Sequence, residues 1–227
     1  MFHRSGKWHN SCESNRMNSV AFVYRYLQKT AYFADLRTEL FRKSIHILIA
    51  LVPPLAAYAG RSTTLALLAG GVVFYTYAEI QRVRGCRIPL ITRVTTAAAR
   101  REDLPGRIII GPMTLGLGAM ISLLLYPQTV SLIAIYALAF GDSASSIIGR
   151  AFGRIPLGPW HYKTLEGSLA CFFTVLLITL RISGSLSCAF LVAFTATVLE
   201  ALPVRDLDNI IIPMGSGFAA CMALSCF

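Results

Sequence analysis

Long apolar runs separated by short polar segments constrain this chain more than any other feature. A helix needs about 20 mostly apolar residues to cross a bilayer. Seven runs approach that length, and the predicted spans are 44–60, 62–80, 107–126, 129–149, 164–182, 185–203 and 209–227. Because a spanning helix satisfies its own backbone hydrogen bonds, these runs predict an all-α, polytopic membrane bundle of about seven transmembrane helices.

The composition agrees with that fold class. Hydrophobic residues make up 55 % of the chain and charged residues only 14 %, whereas about 25 % is usual in soluble domains. A soluble enzyme of this size would need more charge to cover its surface, and a disordered tail would be less apolar. The net charge of +10 raises the question of nucleic acid, but the sequence has no soluble nucleic-acid-binding module, so we expect no such partner.

The distribution of Lys and Arg predicts the orientation in the membrane. Alternate sides of the predicted topology carry 19 and 2 of these residues, and cytoplasmic loops are the ones enriched in them. We therefore expect a cytoplasmic N-terminus. Residues 1–35 are predicted to be a polar and basic cytoplasmic extension, partly irregular, and 36–227 an integral-membrane catalytic domain. Translation could start at Met1 or at Met17.

The carboxylates are equally one-sided. Of eleven Asp and Glu residues, all nine from Glu39 onward fall in predicted cytoplasmic loops or near cytoplasmic helix ends. A charged side chain in a membrane helix is costly and usually marks a site. Carboxylate oxygens bind Mg²⁺ and basic side chains bind phosphate, so this pattern predicts a metal–phosphate site at the cytoplasmic face.

The first of four polar clusters lies where the first span begins. Glu39, Arg42, Lys43 and His46 are spaced so that they share one face of a helix. The alternative is a charged helix entry whose basic side chains reach back to the interface. His46 lies one turn deeper than that alternative requires.

The second cluster is centred on Asp142, about two turns inside the fourth span. Ser145, Ser146, Gly149 and Gly153 follow it along one helical stripe. Small residues let either a ligand or another backbone approach closely, so the stripe predicts a binding surface or a helix-packing seam.

The third cluster opens the fifth span. Thr164 can cap that helix, with Glu166 in its first turn and Lys163 beside it, an arrangement typical of a phosphate site. The alternative is a capped helix start with a carboxylate favoured by the helix dipole.

The fourth cluster precedes the seventh span. It contains Asp206, Asp208 and Asn209, whose side-chain oxygens are candidate metal ligands. The alternative is a polar turn with an N-capping Asp.

Together the four clusters resemble the CTP-dependent membrane lipid kinases: dolichol kinase, phytol kinase and the yeast-type CTP-dependent diacylglycerol kinase. These are distant relatives of the phosphatidate cytidylyltransferases. The resemblance runs from about residue 36 to the C-terminus. The matching segments are Glu39-x-x-Arg42-Lys43-x-x-His46, Gly141-Asp142-x-x-Ser145 through Gly149-Arg150-x-x-Gly153, Lys163-Thr164-Leu165-Glu166-Gly167-Ser168, and Glu200 with Asp208-Asn209-x-x-x-Pro213.

The resemblance implies transfer of the γ-phosphate of CTP to a lipid alcohol, which would be a prenol such as phytol or a polyprenol, or diacylglycerol. It implies Mg²⁺ or another divalent cation as cofactor. The implied catalytic residues are Asp142, Lys163, Glu166 and His46, with Glu166 and His46 as alternative bases. The implied metal ligands are Asp142 and Asp208. The implied nucleotide- or phosphate-binding residues are Arg42, Lys43, Arg150, Ser145, Gly149, Gly167 and Asn209.

The same pattern allows two other functions. A phosphatidate cytidylyltransferase would use the same site parts to make CDP-diacylglycerol, but the chain lacks the His-Gly-Gly run of that branch before its Arg205-Asp206-Leu207-Asp208 segment. A small membrane transporter would carry its charges near the midplane and often shows internal repeats, and neither pattern is present. The sequence leaves open the acceptor lipid, the preference for CTP over ATP and the oligomeric state.

Overall fold

The computed structural model describes residues 36–86, 93–95, 108–157, 163–204 and 206–224. Regular structure in these ranges is helical, apart from one isolated bridge between Pro156 and Thr164. The prediction of an all-α helical bundle is confirmed. Thr38–Phe227 forms one compact unit. The predicted extension over 1–35 lies outside the described residues, so its boundary stays a prediction.

Seven helices of 15 residues or more follow one another within the described ranges. They are α1 (Leu36–Ala59), α2 (Arg61–Val83), α3 (Gly111–Leu125), α4 (Gln128–Phe152), α5 (Leu165–Ser183), α6 (Leu186–Ala201) and α7 (Asp208–Ala223). Four of them, α1, α2, α4 and α5, are long and apolar enough to cross a membrane, whereas α3 and α6 are shorter apolar helices. That all seven runs span a membrane stays a prediction.

The helix ends follow from local sequence. Gly60, with φ of 88°, separates α1 from α2, a conformation that other residues seldom adopt. The side chain of Thr164 accepts a hydrogen bond from the backbone N–H of Gly167, which confirms the predicted cap of α5. Gly184 ends that helix in the left-handed conformation, with φ of 66°, as is common at helix C-termini.

Two helices depart from regular α geometry. In α1 the backbone tightens to a 3₁₀ turn at Ile49–Leu51, just before Pro53 and Pro54, where the missing proline N–H groups perturb the helix as expected. In α4 the backbone widens to a π-helix over Ala137–Asp142. The helical periodicity did not predict this segment, and π-helical turns occur frequently at functional sites. It ends at Asp142.

The core lies where α4 and α7 pack among the other helices. Ile133, Leu138 and Ile212 are fully buried there, while large apolar side chains such as Phe173 and Phe218 are exposed on the outside of the bundle. That outward apolar surface is what a lipid-facing bundle requires. The packing brings the beginnings of α1, α5 and α7 towards the end of α4 and α6, and the polar clusters meet there.

Candidate functional site

The centre of the site is an ion pair between Lys43 of α1 and Asp142 of α4. The ammonium of Lys43 donates to Oδ2 of Asp142, and the two side chains are 1 % and 2 % exposed. Nδ1 of His46 lies 3.3 Å from the same oxygen. The face of α1 that the sequence singled out therefore meets the carboxylate at the end of the π-helix.

One buried nitrogen beside this pair, Nε of Arg42, makes no hydrogen bond to the described part of the chain. Nearly all buried polar atoms in folded proteins have a partner. This nitrogen lies next to buried charges, a setting that favours a polar ligand at the cluster.

A second ion pair joins Lys163, just before α5, to the fully buried Glu200 of α6, and the Lys163 side chain is 18 % exposed. The same carboxylate accepts hydrogen bonds from Ser145 Oγ at 2.6 Å and from Ser168 Oγ at 3.3 Å. Because Ser145 lies one turn beyond Asp142 on α4, the two ion pairs are neighbours.

Glu200 was not among the predicted catalytic, phosphate-binding or metal-ligating residues. The signals in the sequence were its place among the one-sided carboxylates and in the last segment that resembles the lipid kinases. Its bonds to Lys163 and Ser145 cross 37 and 55 positions of the chain, and separations of that size cannot be read from helical spacing.

The charge of Lys163 is set by its surroundings. Burial by itself would lower the pKa of the ammonium, but the carboxylates of Glu200 and Asp142 outweigh it and raise the pKa of Lys163 above its ordinary value. The side chain is therefore a fixed positive charge within the cluster.

Asp208 adds a further carboxylate from the beginning of α7. Its Oδ1 accepts a 2.9 Å hydrogen bond from the backbone N–H of Asn209. It interacts electrostatically with Asp142, Lys43 and Lys163. The two carboxylates proposed from the sequence as metal ligands, Asp142 and Asp208, thus lie within electrostatic range of each other.

This pair is compatible with Mg²⁺, which proteins commonly hold through one or two carboxylates together with substrate phosphates. A self-sufficient metal cage is not present in the described ranges, which contain no group of three or more His, Cys, Asp and Glu side chains that could hold an ion. A cation at Asp142 and Asp208 would therefore depend on the nucleotide for its other ligands. The metal role of both residues stays a prediction.

Two arginines lie at the edge of the cluster and share Glu39. Arg42 contacts Glu39 Oε1 at 2.5 Å, and Arg150 of α4 contacts Oε2 at 3.1 Å. The Arg150 side chain is 40 % exposed, so a ligand can reach this guanidinium from outside the bundle. Both predicted phosphate-binding arginines are placed beside the buried pairs.

Glu166 lies in a different setting from the other predicted catalytic residues. Its Oε1 accepts hydrogen bonds from the backbone N–H groups of Arg154, at 2.9 Å, and Ile155, at 3.3 Å. The carboxylate thereby holds the segment that follows α4 against the first turn of α5. Its catalytic role stays a prediction.

The predicted phosphate-binding residues Gly149 and Gly167 meet in a helix contact. A Cβ on Gly167 would lie 2.8 Å from the carbonyl oxygen of Ser145 and 3.2 Å from Cα of Gly149. The packing alternative raised for this stripe is therefore what the structure shows at these glycines. Their binding of phosphate stays a prediction.

Asn209 is turned towards α3. Its Nδ2 donates to Thr114 Oγ1 at 2.9 Å and to the carbonyl oxygen of Gly111 at 3.2 Å. The backbones are also close, because a Cβ on Gly118 would lie 2.0 Å from the carbonyl oxygen of Asn209. Asn209 thus fixes the beginning of α7, and with it the position of Asp208.

The chain is similar to plant proteins over about half its length. It is 27 % identical over 138 residues to a probable phytol kinase 1, chloroplastic, of Oryza sativa subsp. japonica, covering 53 % of the chain and 44 % of the relative. It is 28 % identical over 148 residues to a probable phytol kinase, chloroplastic, of Triticum aestivum, covering 57 % and 48 %. A probable phytol kinase 1, chloroplastic, of Glycine max is 25 % identical over 134 residues, or 51 % and 44 % of the two chains.

The chain spans about half the length of the curated relatives it matches. No family model and no solved structure matches it. Its four long apolar helices are those of a membrane protein. The chain is therefore a helical membrane protein with distant sequence similarity to probable phytol kinases.

Proposed function

We propose that this protein transfers the γ-phosphoryl group of CTP to the hydroxyl group of a membrane lipid alcohol. The observation that carries the proposal is the adjacency of two ion pairs, Lys43–Asp142 and Lys163–Glu200, whose charges also act on the carboxylate of Asp208. The relatives named as probable phytol kinases support a lipid alcohol as acceptor. The excess of Lys and Arg on one side supports a site at the cytoplasmic face.

In this reaction the lipid oxygen attacks the γ-phosphorus. The bond from that phosphorus to the β,γ-bridging oxygen breaks, CDP leaves with the electron pair, and the hydroxyl proton passes to a base. Such transfer depends on positioning and on neutralising charge rather than on covalent catalysis. The cluster offers fixed charges for both purposes.

The basic side chains bind and orient the phosphates. Lys163 is held by Glu200, which is itself fixed by two serine hydroxyls, so its ammonium is positioned before substrate arrives. Arg42 and Arg150 approach from the more exposed edge. A divalent cation held by Asp142 and Asp208 would add neutralisation of the phosphate oxygens.

His46 is the better of the two candidate bases. Its imidazole is buried, and Nδ1 lies 3.3 Å from Oδ2 of Asp142. Glu166, in contrast, accepts backbone N–H groups. An imidazole positioned by a carboxylate is a common arrangement for accepting a proton.

The test is an assay of the purified full chain in lipid vesicles with γ-labelled CTP and Mg²⁺. Phytol, farnesol, a polyprenol, diacylglycerol and phosphatidate are supplied one at a time. The proposal predicts label in a lipid monophosphate, with CDP as co-product. Label released as pyrophosphate with phosphatidate alone would overturn it in favour of a cytidylyltransferase. Faster transfer from γ-labelled ATP would overturn the choice of nucleotide.

A further inference from the structure

Glu79, near the end of α2, is fully buried and is not among the residues assigned to the ionic cluster. Nε and Nη2 of Arg82 donate to its two carboxylate oxygens at 2.8 and 2.7 Å. Its Oε1 also accepts a hydrogen bond from the backbone N–H of Ile109, at 2.7 Å. A carboxylate within an apolar helix is costly and usually has a specific task. The bond to Ile109 indicates that task, because it joins α2 to the segment that leads into α3.

That segment, Ile109–Gly111, is called the entry segment below. Besides the bond to Glu79, the carbonyl oxygen of Ile109 accepts a hydrogen bond from the Tyr75 hydroxyl at 3.1 Å. Tyr75 and Glu79 are four residues apart on α2 and therefore share one face of that helix. Both backbone groups of Ile109 are thus bonded to this face, which fixes the entry segment against α2.

The other end of the entry segment contacts the first turn of α7. The carbonyl oxygen of Gly111 accepts a hydrogen bond from Nδ2 of Asn209 at 3.2 Å, and the same nitrogen donates to Thr114 Oγ1 at 2.9 Å. The Thr114 hydroxyl donates in turn to the carbonyl oxygen of Gly111, at 2.9 Å. These three groups form a closed set of hydrogen bonds, so the position of Asn209 follows that of Gly111.

Asp208 immediately precedes Asn209, and its Oδ1 accepts a hydrogen bond from the Asn209 backbone N–H at 2.9 Å. The series of contacts that begins at Glu79 therefore ends at Asp208. A group that acts on a cation or a phosphate has to be held within about 0.5 Å of its working position. Outer residues that orient such groups typically contribute about 10–100-fold to metal affinity or activity.

We propose that Glu79 and Tyr75 are positioning residues for Asp208: they fix the entry segment, and the entry segment fixes the first turn of α7. The inference rests on the proposed function, in which Asp208 acts on the cation and the phosphates. It extends the site to α2, which contributes none of the residues assigned to the ionic cluster. Neither Glu79 nor Tyr75 has to touch substrate for this role.

The first test compares two variants that break the same ion pair. Glu79→Leu removes both the charge and the acceptor for the N–H of Ile109, whereas Arg82→Met removes the cation and leaves that acceptor in place. Glu79→Gln is the conservative variant, because its amide oxygen can still accept the bond. The measured quantity is the Mg²⁺ concentration that gives half-maximal transfer from CTP to phytol, well below the melting temperature of each variant.

We expect Glu79→Leu to raise this Mg²⁺ concentration roughly tenfold or more, and Glu79→Gln to restore most of the difference. Arg82→Met should stay close to the wild type even if its melting temperature falls. Equal increases in Glu79→Leu and Arg82→Met would overturn the inference, because loss of the ion pair alone would then explain both.

The second test uses a smaller change, in case Glu79→Leu does not fold. Tyr75→Phe removes only the hydroxyl that donates to the carbonyl oxygen of Ile109. Tyr77→Phe is the matched control, since Tyr77 is 56 % exposed on the same helix. We expect the Mg²⁺ requirement to rise in Tyr75→Phe and not in Tyr77→Phe. Equal requirements in the two variants would overturn the role of Tyr75.

A third measurement needs no turnover. Amide hydrogen exchange of the full chain in detergent, without nucleotide or metal, is followed by mass spectrometry in a peptide that covers the first turn of α7. We expect faster exchange in Glu79→Leu and Tyr75→Phe than in Arg82→Met and Tyr77→Phe. Equal exchange in all four variants would overturn the inference.

These measurements separate the inference from the function on which it rests. Faster exchange in the first turn of α7, without phosphorylation of any lipid, would reject the proposed activity and keep the positioning role. Phosphorylation with an unchanged Mg²⁺ requirement and unchanged exchange would keep the activity and reject the positioning role.

Discussion

Lys43 and Asp142, 99 positions apart in the chain, form an ion pair that is almost completely shielded from solvent. The pair joins α1 to the last residue of the π-helical segment of α4. Removing one partner of such a pair leaves an uncompensated buried charge, whereas removing both together can be nearly neutral. The pair therefore has separable consequences for stability and for activity.

Lys43→Met should lower the free energy of unfolding by about 3–5 kcal/mol, because Asp142 then stays buried without its counter-ion. The double variant Lys43→Met/Asp142→Asn should recover most of that loss and remain inactive. Thermal unfolding in detergent, with turnover measured on the same samples, checks both expectations. If the double variant loses as much unfolding free energy as the two single variants lose together, the pairing contributes little to stability.

Glu200→Gln should shift the alkaline limit of activity to lower pH. In the wild type, the carboxylates of Glu200 and Asp142 keep the pKa of Lys163 raised against the opposing effect of burial. The charged form thus persists to high pH and is lost only as the pH rises through that pKa. Without the Glu200 charge, the effect of burial lowers the pKa of Lys163, and the ammonium loses its proton at a lower pH.

The measurement is kcat against pH for the Glu200→Gln variant, with Glu79→Gln as control. Glu79 is also fully buried, but it pairs with Arg82 of its own helix. An unchanged pH profile in the Glu200→Gln variant, alongside reduced activity, would leave Glu200 with a structural role only.

His46→Gln should reduce kcat about 100-fold or more, whereas Glu166→Gln should retain much of the activity. A glutamine at position 166 still offers a carbonyl oxygen to the backbone N–H groups of Arg154 and Ile155. Steady-state kinetics with saturating CTP compare the two variants directly. The opposite ranking would make Glu166 the base.

Gly118→Ala should destabilise the bundle by about 1–3 kcal/mol or more, since its Cβ would lie 2.0 Å from the carbonyl oxygen of Asn209 and force α3 away from α7. Gly71→Ala is the matched control, because a Cβ there meets nothing within 4 Å. The melting temperatures of the two variants in detergent provide the measurement. Equal melting temperatures would contradict the close helix contact.

The sequence predicted the helical membrane class, because long apolar runs have few ways to fold. The spacing of Lys43 and His46 also predicted a shared helix face, and the structure turns that face towards Asp142. These inferences succeeded because they depend only on local periodicity.

Other features depend on contacts between distant segments and could not be read in the same way. Gly149 and Gly167 carry the same small-residue signature whether a phosphate or a helix backbone approaches, and the structure places a backbone there. The pairing of Lys163 with Glu200 depends on how α5 and α6 are aligned. The π-helix that ends at Asp142 was not among the features that the apolar periodicity predicted.

The most direct test of the proposed phosphoryl-transfer site compares two aspartates on one turn. Asp208 interacts with the ionic cluster, whereas Asp206, two positions earlier, has φ of 61°, a conformation that asparagine tolerates. Asp208→Asn and Asp206→Asn are assayed with γ-labelled CTP, Mg²⁺ and phytol after both are shown to melt like the wild type. We expect labelled lipid monophosphate from Asp206→Asn and almost none from Asp208→Asn. Equal label from both would contradict the assignment of the cluster as the phosphoryl-transfer site.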